Sequence, residues 1–227
     1  MQLDRLKAIR KDRLKAELRT GTTNWRYEQM YRYRRLTKKQ QQAAVDERRQ
    51  QSYPWHGPPH IHAPGGYRIV TGACYEHKHI LKSNDRLHWF AQELIDFLQD
   101  LEISCAAWCV LPNHYHLLVN IADIKTFSTQ VGQLHGRTSF ELNGQDGKRG
   151  RKVWYRCQDR KMRSERHFFA SLNYIHNNPV KHHYVTKWQD WPHSSVHWYL
   201  EQKGRGWLLD LWHEYPLFDY GEKWDEF

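Results

Sequence analysis

The sequence predicts an α+β fold in which one antiparallel sheet carries its helices on one face, as in ferredoxin-like domains. The first reason is the order of predicted elements from residue 67 to about residue 177, which is strand, helix, strand, strand, helix, strand, helix. The second is the turn signal Pro112-Asn113 between two apolar runs, because such a turn joins antiparallel neighbours. The third is the helical spacing of apolar residues in the segments between the strands.

The first four elements follow from composition and periodicity. Tyr67–Tyr75 is rich in strand-forming residues, and Arg86–Leu101 repeats apolar residues at the spacing of an amphipathic helix. Ile103–Leu111 and Tyr115–Ile121 are the apolar runs on either side of the turn. They are predicted to form the second and third strands and to pair with each other.

The next elements are a helix and an edge region. Ile124–Leu142 has apolar residues at helical spacing and predicts the second helix. A loop rich in glycine and basic residues follows at 143–152. Val153–Cys157 and Arg160–Arg163 are predicted to form two short edge strands.

Composition and charge divide the chain into three segments. Residues 1–64 form a basic extension, with predicted helices at 3–18 and 24–50 before a linker rich in proline and glycine at 52–66. Residues 65–187 contain the predicted α+β domain. Residues 188–227 form a Trp-rich, partly acidic tail.

The net charge of +10 is unevenly distributed. Residues 1–64 hold 15 Lys and Arg against 6 Asp and Glu, and residues 137–166 hold 10 against 4, whereas residues 201–227 hold 3 against 7. Basic segments of this kind commonly meet phosphate backbones, although a solvated surface is the alternative. Aromatic residues interleaved with arginines between residues 25 and 35 favour nucleic acid, because their rings can stack on unpaired bases.

The composition also predicts where the protein is located and the redox state of its cysteines. The N-terminus is charged and lacks an apolar signal segment, and no run is long enough to span a bilayer, so we expect a cytoplasmic, nucleoid-associated protein with no membrane partner. None of the four cysteines forms a C-x-x-C pair, which fits buried thiols in a reducing compartment. These are Cys74, Cys105, Cys109 and Cys157.

His114 and His116 are the main candidate metal ligands. Residues two apart in a strand point to the same face, so both imidazoles would lie side by side while Tyr115 points the other way. Two neutral imidazoles are half of a divalent metal site. The chain has 16 histidines, and His60/His62 and His77/His79 have the same spacing, but only His114/His116 is embedded in an apolar strand. Packing without a metal is the alternative interpretation.

The third predicted helix carries the other candidate groups. It runs from Glu165, behind the N-cap Ser164, to about Asn177, and Pro179 is expected to stop it. Tyr174 and Asn178 are four residues apart and would share a face of this helix. If that face lies against the histidines, Asn178 offers a third ligand oxygen and Tyr174 a nucleophilic hydroxyl. An ordinary amphipathic helix end is the alternative.

Several stretches resemble the motifs of a known family. Leu111–Val119 looks like the signature of HUH single-strand nucleases, and Tyr174–Lys181 looks like the tyrosine-helix signature of the REP-associated tyrosine transposases. Trp154–Arg156 and Asp159-Arg160 resemble the strands that lead into that helix in the family, and Asp190–Ser195 resembles the segment that follows it. The resemblance runs from about residue 67 to residue 200, with the motifs in the expected order.

The resemblance implies a single-tyrosine HUH nuclease domain at 65–187. His114, His116 and Asn178 would bind Mg²⁺ or Mn²⁺, and Tyr174 would attack a phosphodiester in single-stranded DNA. This attack gives a 5′-phosphotyrosine and a free 3′-hydroxyl, and its reversal on a new end rejoins DNA without a nucleotide cofactor. Family substrates are REP-like imperfect DNA hairpins with a short flanking guide sequence. A homodimer, with Tyr174 acting in its own subunit or its partner's, stays open.

Two further expectations concern DNA contacts. A set of basic residues near the predicted site would contact phosphates, with surface solvation as the alternative: Arg149, Arg151, Lys152, Arg156, Arg160, Lys161, Arg163 and Lys181. The acidic tail could cover the basic groove and restrain activity, so that deletion of residues 204–227 would raise cleavage or binding. The basic extension and His182-His183 depart from the family pattern and leave the DNA target open.

Two other functions compete with the transposase interpretation. A hairpin-binding regulatory protein without catalysis would not need the full set of His114, His116, Tyr174 and Asn178. A zinc-dependent hydrolase with a metal-bound water would leave Tyr174 dispensable, and the sequence has no carboxylate close to the histidine pair.

Overall fold

The computed structural model describes residues 65–221, together with residues 37, 39, 40 and 43. By its contacts the chain divides into two units, residues 1–64 and residues 65–227. The helices predicted at 3–18 and 24–50 fall outside the described residues, apart from residues 37, 39, 40 and 43, of which the last three are helical. In the described part of the chain no helix is long and apolar enough to cross a membrane.

A four-stranded antiparallel sheet forms the centre of residues 65–221. Its strands are β1 (Tyr67–Ala73), β2 (Cys105–Val110), β3 (His114–Asn120) and β4 (Gln158–Lys161), in the spatial order β2-β3-β1-β4. Both β2 and β1 pair with β3, and β4 pairs with the outer edge of β1. This is the order of a ferredoxin-like sheet, so the predicted fold class is confirmed.

Four helices pack on this sheet. They are α1 (Asn84–Asp100), α2 (Ile124–Gln145), α3 (Glu165–Lys181) and α4 (Val196–Glu214). Each of the first three begins at a polar side chain that accepts a hydrogen bond from the first helical turn, supplied by Ser83, Asp123 and Ser164 respectively. The cap predicted at Ser164 is confirmed.

The helices cover both faces of the sheet, so the expectation of helices on one face was wrong for α3. Tyr115 contacts Phe90 of α1 and His135 of α2 on one face, with ring centroids 5.5 Å and 5.8 Å away. His116 contacts Tyr174 of α3 on the other. The reason is the alternation of β3, whose successive side chains are buried on opposite faces and therefore require cover on both.

Several boundaries differ from those predicted, and the largest differences are in the edge region and at the end of α3. The edge strand predicted at Arg160–Arg163 is β4, which runs from Gln158 to Lys161. Val153–Cys157 does not form a strand, because it meets the sheet only at the single bridge Cys74–Trp154 and is anchored by the buried Trp154 ring instead. Helix α3 continues through Pro179 to Lys181. Proline lacks the N–H that would donate to the Ile175 carbonyl, so α3 loses one backbone hydrogen bond there and ends two residues later.

The segment that joins α3 to α4 closes the free edge of β2. The Val110 amide donates to the His193 carbonyl (2.9 Å), the Trp108 amide donates to Ser195 Oγ (2.9 Å), and the Trp191 indole donates to the Val110 carbonyl (2.9 Å). These bonds satisfy backbone groups that an edge strand would otherwise expose. The edge of β2 next to the predicted site is therefore held in place by side chains of the Asp190–Ser195 motif.

Candidate active site

The predicted histidine pair lies at the start of β3. The rings of His114 and His116 are 5.0 Å apart on the same face of the sheet, and both side chains are fully buried. Their positions follow from the register, in which Thr71 of β1 lies opposite His116 and Ala73 lies opposite His114. The period-two prediction for these two side chains agrees with the structure.

Hydrogen bonds fix the orientation of His114. Asn113 Nδ2 donates to the His77 carbonyl (3.4 Å), and Asn113 Oδ1 lies 2.7 Å from His114 Nδ1. The other ring nitrogen of His114, Nε2, lies 2.9 Å from Asn178 Oδ1. An imidazole nitrogen and an amide oxygen at this distance are close enough to bind one cation together.

Electrostatics keep this imidazole neutral. Burial lowers the pKa of His114 well below its usual range, and the neighbouring His116 and His182 lower that pKa further. A neutral imidazole is the form that binds a metal. The buried position of His114 therefore favours the ligand form at ordinary pH.

His116 has its own supporting partner. Its Nδ1 lies 2.8 Å from the Thr71 hydroxyl on the neighbouring strand. A ring held at Nδ1 by a hydroxyl presents Nε2 to the site, as is common for histidines that bind metals. Sequence reasoning did not identify Thr71 or Asn113 as supporting residues. The register of β1 against β3 was the missing information for Thr71.

Tyr174 lies beside this pair in the same chain. Its ring centroid is 5.4 Å from that of His116, and the side chain is only 2% exposed. Since α3 remains helical through Asn178, the four-residue spacing places Tyr174 and Asn178 on one face, one turn apart. The four predicted residues His114, His116, Tyr174 and Asn178 therefore come together in a single chain.

Lys181 contacts the Tyr174 hydroxyl. Its Nζ donates to that hydroxyl at 3.2 Å, and it lies 5.0 Å from the centroid of the same ring. The ammonium group therefore holds the hydroxyl that is the candidate nucleophile. The sequence indicated Lys181 only as a phosphate contact, and its seven-residue offset from Tyr174 on a helix was the signal for this second role.

The C-terminal segment covers Tyr174. The Gly221 carbonyl accepts a hydrogen bond from Lys181 Nζ (2.9 Å), and the Tyr220 hydroxyl lies 2.5 Å from Ser171 Oγ. Gly221 has φ +80°, and a Cβ at this position would overlap the Tyr174 ring. Glycine is required here by both the backbone conformation and the close approach. The nucleophile candidate is therefore shielded by residues 220–221.

The donor set fits the predicted divalent ion. Within the part of the chain that the structure describes, no three His, Cys, Asp or Glu side chains are arranged to hold a metal, so the set consists of two imidazoles and the Asn178 amide oxygen. Mixed nitrogen and oxygen donors of this kind suit Mn²⁺, and Mg²⁺ less well because it prefers oxygen. His182, whose ring is 4.9 Å from that of His114, borders the same site.

The predicted basic residues form two groups. Arg151, Lys152 and Arg156 line a cavity of about 470 Å³ against α2, on the face opposite α3. In this group Arg151 is paired with Asp146 (2.7 Å), and Lys152 lies over the Tyr75 ring (4.5 Å). Those outside this cavity lie near Phe140, along β4 and just after it, and at the end of α3: Arg149, Arg160, Lys161, Arg163 and Lys181. Their contacts with phosphate stay a prediction.

Two known transposases are similar in sequence to part of this chain. A 26% identical relative over 106 residues is the REP-associated tyrosine transposase of Escherichia coli K12, with 46% of this chain and 61% of the relative covered. A Haemophilus influenzae protein provisionally named a REP-associated tyrosine transposase is 33% identical over 101 residues, with 40% and 57% covered. The chain thus spans about three fifths of the length of these relatives.

A solved structure and a family description complete the comparison. The structure of a REP-associated tyrosine transposase bound to a REP hairpin matches with a TM-score of 0.52 and 20% identity, and covers 64% of this chain and 86% of that chain, which shows the shared fold. The sequence description of the family called transposase IS200 like matches residues 65–184, which include both histidines, Tyr174 and Asn178. With more than half of its residues matched, the chain belongs to the IS200-like transposase family.

Proposed function

We propose that the chain is a metal-dependent endonuclease and strand transferase that cuts and rejoins single-stranded DNA beside a hairpin. One observation carries the proposal: Tyr174 lies 5.4 Å from His116 in the buried cluster that also joins His114 to Asn178. A nucleophile, two imidazoles and an amide oxygen are the groups that a tyrosine nuclease requires. The hairpin as substrate is supported by the REP hairpin in the matched solved structure.

The chemical step conserves the energy of the phosphodiester bond. The Tyr174 oxygen gives up its proton and attacks phosphorus, while the bond from phosphorus to the 3′-oxygen breaks and that oxygen takes up a proton. Lys181 stabilises the phenolate at 3.2 Å. A bound Mn²⁺ or Mg²⁺ would supply Lewis acid stabilisation of the phosphoryl oxygens. Attack by a new 3′-hydroxyl on the phosphotyrosine reverses the step and rejoins DNA.

The first test is the covalent intermediate. Purified protein is mixed with 3′-end-labelled hairpin DNA and Mn²⁺ or Mg²⁺, and the products are separated under denaturing conditions. The proposal expects a slow band that survives denaturation and is absent with chelator. Native complexes without this band, across varied hairpins and metals, would instead favour a binding protein without catalysis.

Replacement of Lys181 by methionine is expected to slow adduct formation about tenfold or more, because the phenolate loses its cationic neighbour while the methylene stem is kept. Single-turnover rates and hairpin affinities measure the effect separately. We expect the rate to fall and the affinity to stay unchanged. Lys187→Met, at an exposed lysine, is the matched control. A parallel loss of affinity would instead assign Lys181 to phosphate binding.

Removal of residues 219–227 is expected to raise the adduct yield about tenfold, because two hydrogen bonds that hold residues 220–221 over Tyr174 are lost. The larger deletion of residues 204–227 suggested by charge alone would also remove the buried residues Leu208 and Leu211. Adduct formation and melting temperature are measured together on the shorter variant. An unchanged or lower yield from a folded protein would exclude a restraining role for this segment.

A further inference from the structure

We propose that a cavity beside the active site holds one unpaired nucleobase of the DNA strand that Tyr174 attacks. The cavity lies between the start of α1, the turn before β3 and the segment after α3, and its volume is about 380 Å³. A space of this size is in the range of small-ligand sites. The inference rests on the proposed function and deepens it, since it assigns a place to a part of the substrate that is not cut.

The walls of the cavity are aromatic and fixed. Tyr184 and Trp191 stand 5.5 Å apart, with ring planes inclined by 35°. The Trp191 indole N–H donates to the Val110 carbonyl, and the Tyr184 hydroxyl lies 3.3 Å from His79 Nε2. Rings held in this way need little further ordering when a flat base stacks on them.

Polar groups at the rim match a nucleotide rather than an apolar ligand. Lys82 is exposed beside the cavity, and Asn84 begins α1, whose N-terminus favours negative charge. His193 Nε2 lies 2.9 Å from Asn84 Oδ1, which places two polar side chains that can bond to a base edge in the same wall. Among the described residues that line the cavity none is acidic. The lining therefore combines stacking surfaces with groups that attract phosphate.

A continuous row of rings joins the cavity to the catalytic histidines. The ring centroids of His116 and His114 are 5.0 Å apart, and those of His114 and His182 are 4.9 Å apart. The row continues from His182 to Tyr184 over 6.4 Å, and from there to Trp191. A strand whose phosphate lies at His114 can therefore place a neighbouring base in the cavity. This continuity favours a base of the bound strand over a free nucleotide, which shares the same chemistry.

The experiment measures coupling between one protein side chain and one base. Hairpin DNAs carry a single abasic site at each unpaired flanking position in turn, and their affinity for the Tyr174→Phe protein, which cannot cut them, is measured by fluorescence anisotropy. Tyr184→Leu is added to this protein to remove the stacking ring. Tyr184→Phe keeps the ring, and Trp198→Leu changes an exposed aromatic residue on α4 as the matched control.

One flanking position of the DNA should show coupling to Tyr184. An abasic site there and Tyr184→Leu are each expected to weaken binding about tenfold, and the combination should be no weaker than either alone. Trp198→Leu should leave the affinity unchanged, and Tyr184→Phe, which keeps the stacking ring, should keep the coupling to that position. Lys82→Met, which alters only an exposed side chain, should weaken binding to every hairpin and reduce the salt dependence by about one phosphate contact.

Other outcomes would overturn the inference. The losses of affinity caused by the abasic site and by Tyr184→Leu could simply add at every position, in variants that keep the melting temperature of the parent protein. That result would show that Tyr184 contacts no single base. Competition by free deoxynucleotides that depends on Tyr184, without any position-specific coupling, would assign the cavity to a free nucleotide. If the protein with its native Tyr174 forms adducts normally while the Tyr174→Phe protein shows no coupling, the proposed function stands and this inference alone fails. If no hairpin binds and no adduct forms, both fail.

Discussion

The Tyr174→Phe protein is expected to form no covalent adduct with hairpin DNA, with a loss of about a thousandfold or more in rate, while its affinity for the same DNA is unchanged. Phenylalanine keeps the ring that packs 5.4 Å from His116 and removes only the oxygen that attacks phosphorus. Loss of a nucleophile removes transition-state stabilisation and leaves ground-state binding intact. Single-turnover adduct formation and anisotropy measure the two quantities.

Labelling either the 3′ or the 5′ end of the DNA shows which fragment stays attached to the protein. A 5′-phosphotyrosine keeps the protein on the 3′ portion of the DNA, so only 3′-end-labelled DNA should give the slow band, and 5′-end-labelled DNA should give a free fragment. Tyr220→Phe is the matched control, because the Tyr220 ring lies 6.0 Å from that of Tyr174 and offers a second hydroxyl. An adduct that persists in Tyr174→Phe and disappears in Tyr220→Phe would move the nucleophile to Tyr220.

A different product pattern would indicate a different enzyme. Fragments released without any adduct, at the same rate with and without the Tyr174 hydroxyl, would indicate hydrolysis by a metal-bound water. That result would contradict the tyrosine nuclease and support the hydrolase that the histidine pair alone also allows. Both reactions use the same imidazoles, so the Tyr174 hydroxyl is the group that distinguishes them.

Local patterns were sufficient to predict the residues that lie on one element. The alternation of β3 predicts that His114 and His116 share a face, and the helical spacing predicts the same for Tyr174 and Asn178. Each of these relations depends only on the geometry of a strand or a helix. Contact between the histidine pair and the Tyr174/Asn178 pair depends on how α3 packs against β3. Local patterns do not predict that packing, and the family resemblance supplied it.

Relations between distant segments were not predictable in this way. Thr71 reaches His116 through the pairing of β1 with β3, and Gly221 reaches Lys181 across 40 residues. Neither partner has a sequence pattern that indicates the other. Pro179 failed as a stop signal for a related reason, since the burial of Ile175 and Asn178 on the core side of α3 outweighs a local preference of the chain.

Gly72→Ala is expected to lower the free energy of unfolding by about 3 kcal/mol, which is roughly 10 °C in melting temperature. Gly72 lies opposite Tyr115 in the sheet, and a Cβ at this position would overlap the Tyr115 ring. That ring cannot move away easily, because its hydroxyl lies 2.9 Å from His135 Nε2 and 3.3 Å from Cys157 Sγ in the core. Urea and thermal unfolding measure the loss.

A second glycine separates this clash from the general effect of the substitution. Gly132 lies in α2 with open space where its Cβ would be, so Gly132→Ala should stabilise the protein by up to about 1 kcal/mol through helix propensity. Equal effects of the two substitutions would contradict the clash with Tyr115.

Gly72→Ala should reduce activity more than its loss of stability alone predicts. Tyr115 stands between His114 and His116 on β3, so a ring displaced by the new methyl group shifts the backbone that positions both imidazoles. Adduct formation by Gly72→Ala, measured well below its melting temperature, is therefore expected to fall even where the protein is fully folded. If activity per folded molecule is unchanged, Gly72 serves packing only, and the positions of the imidazoles do not depend on the Tyr115 ring.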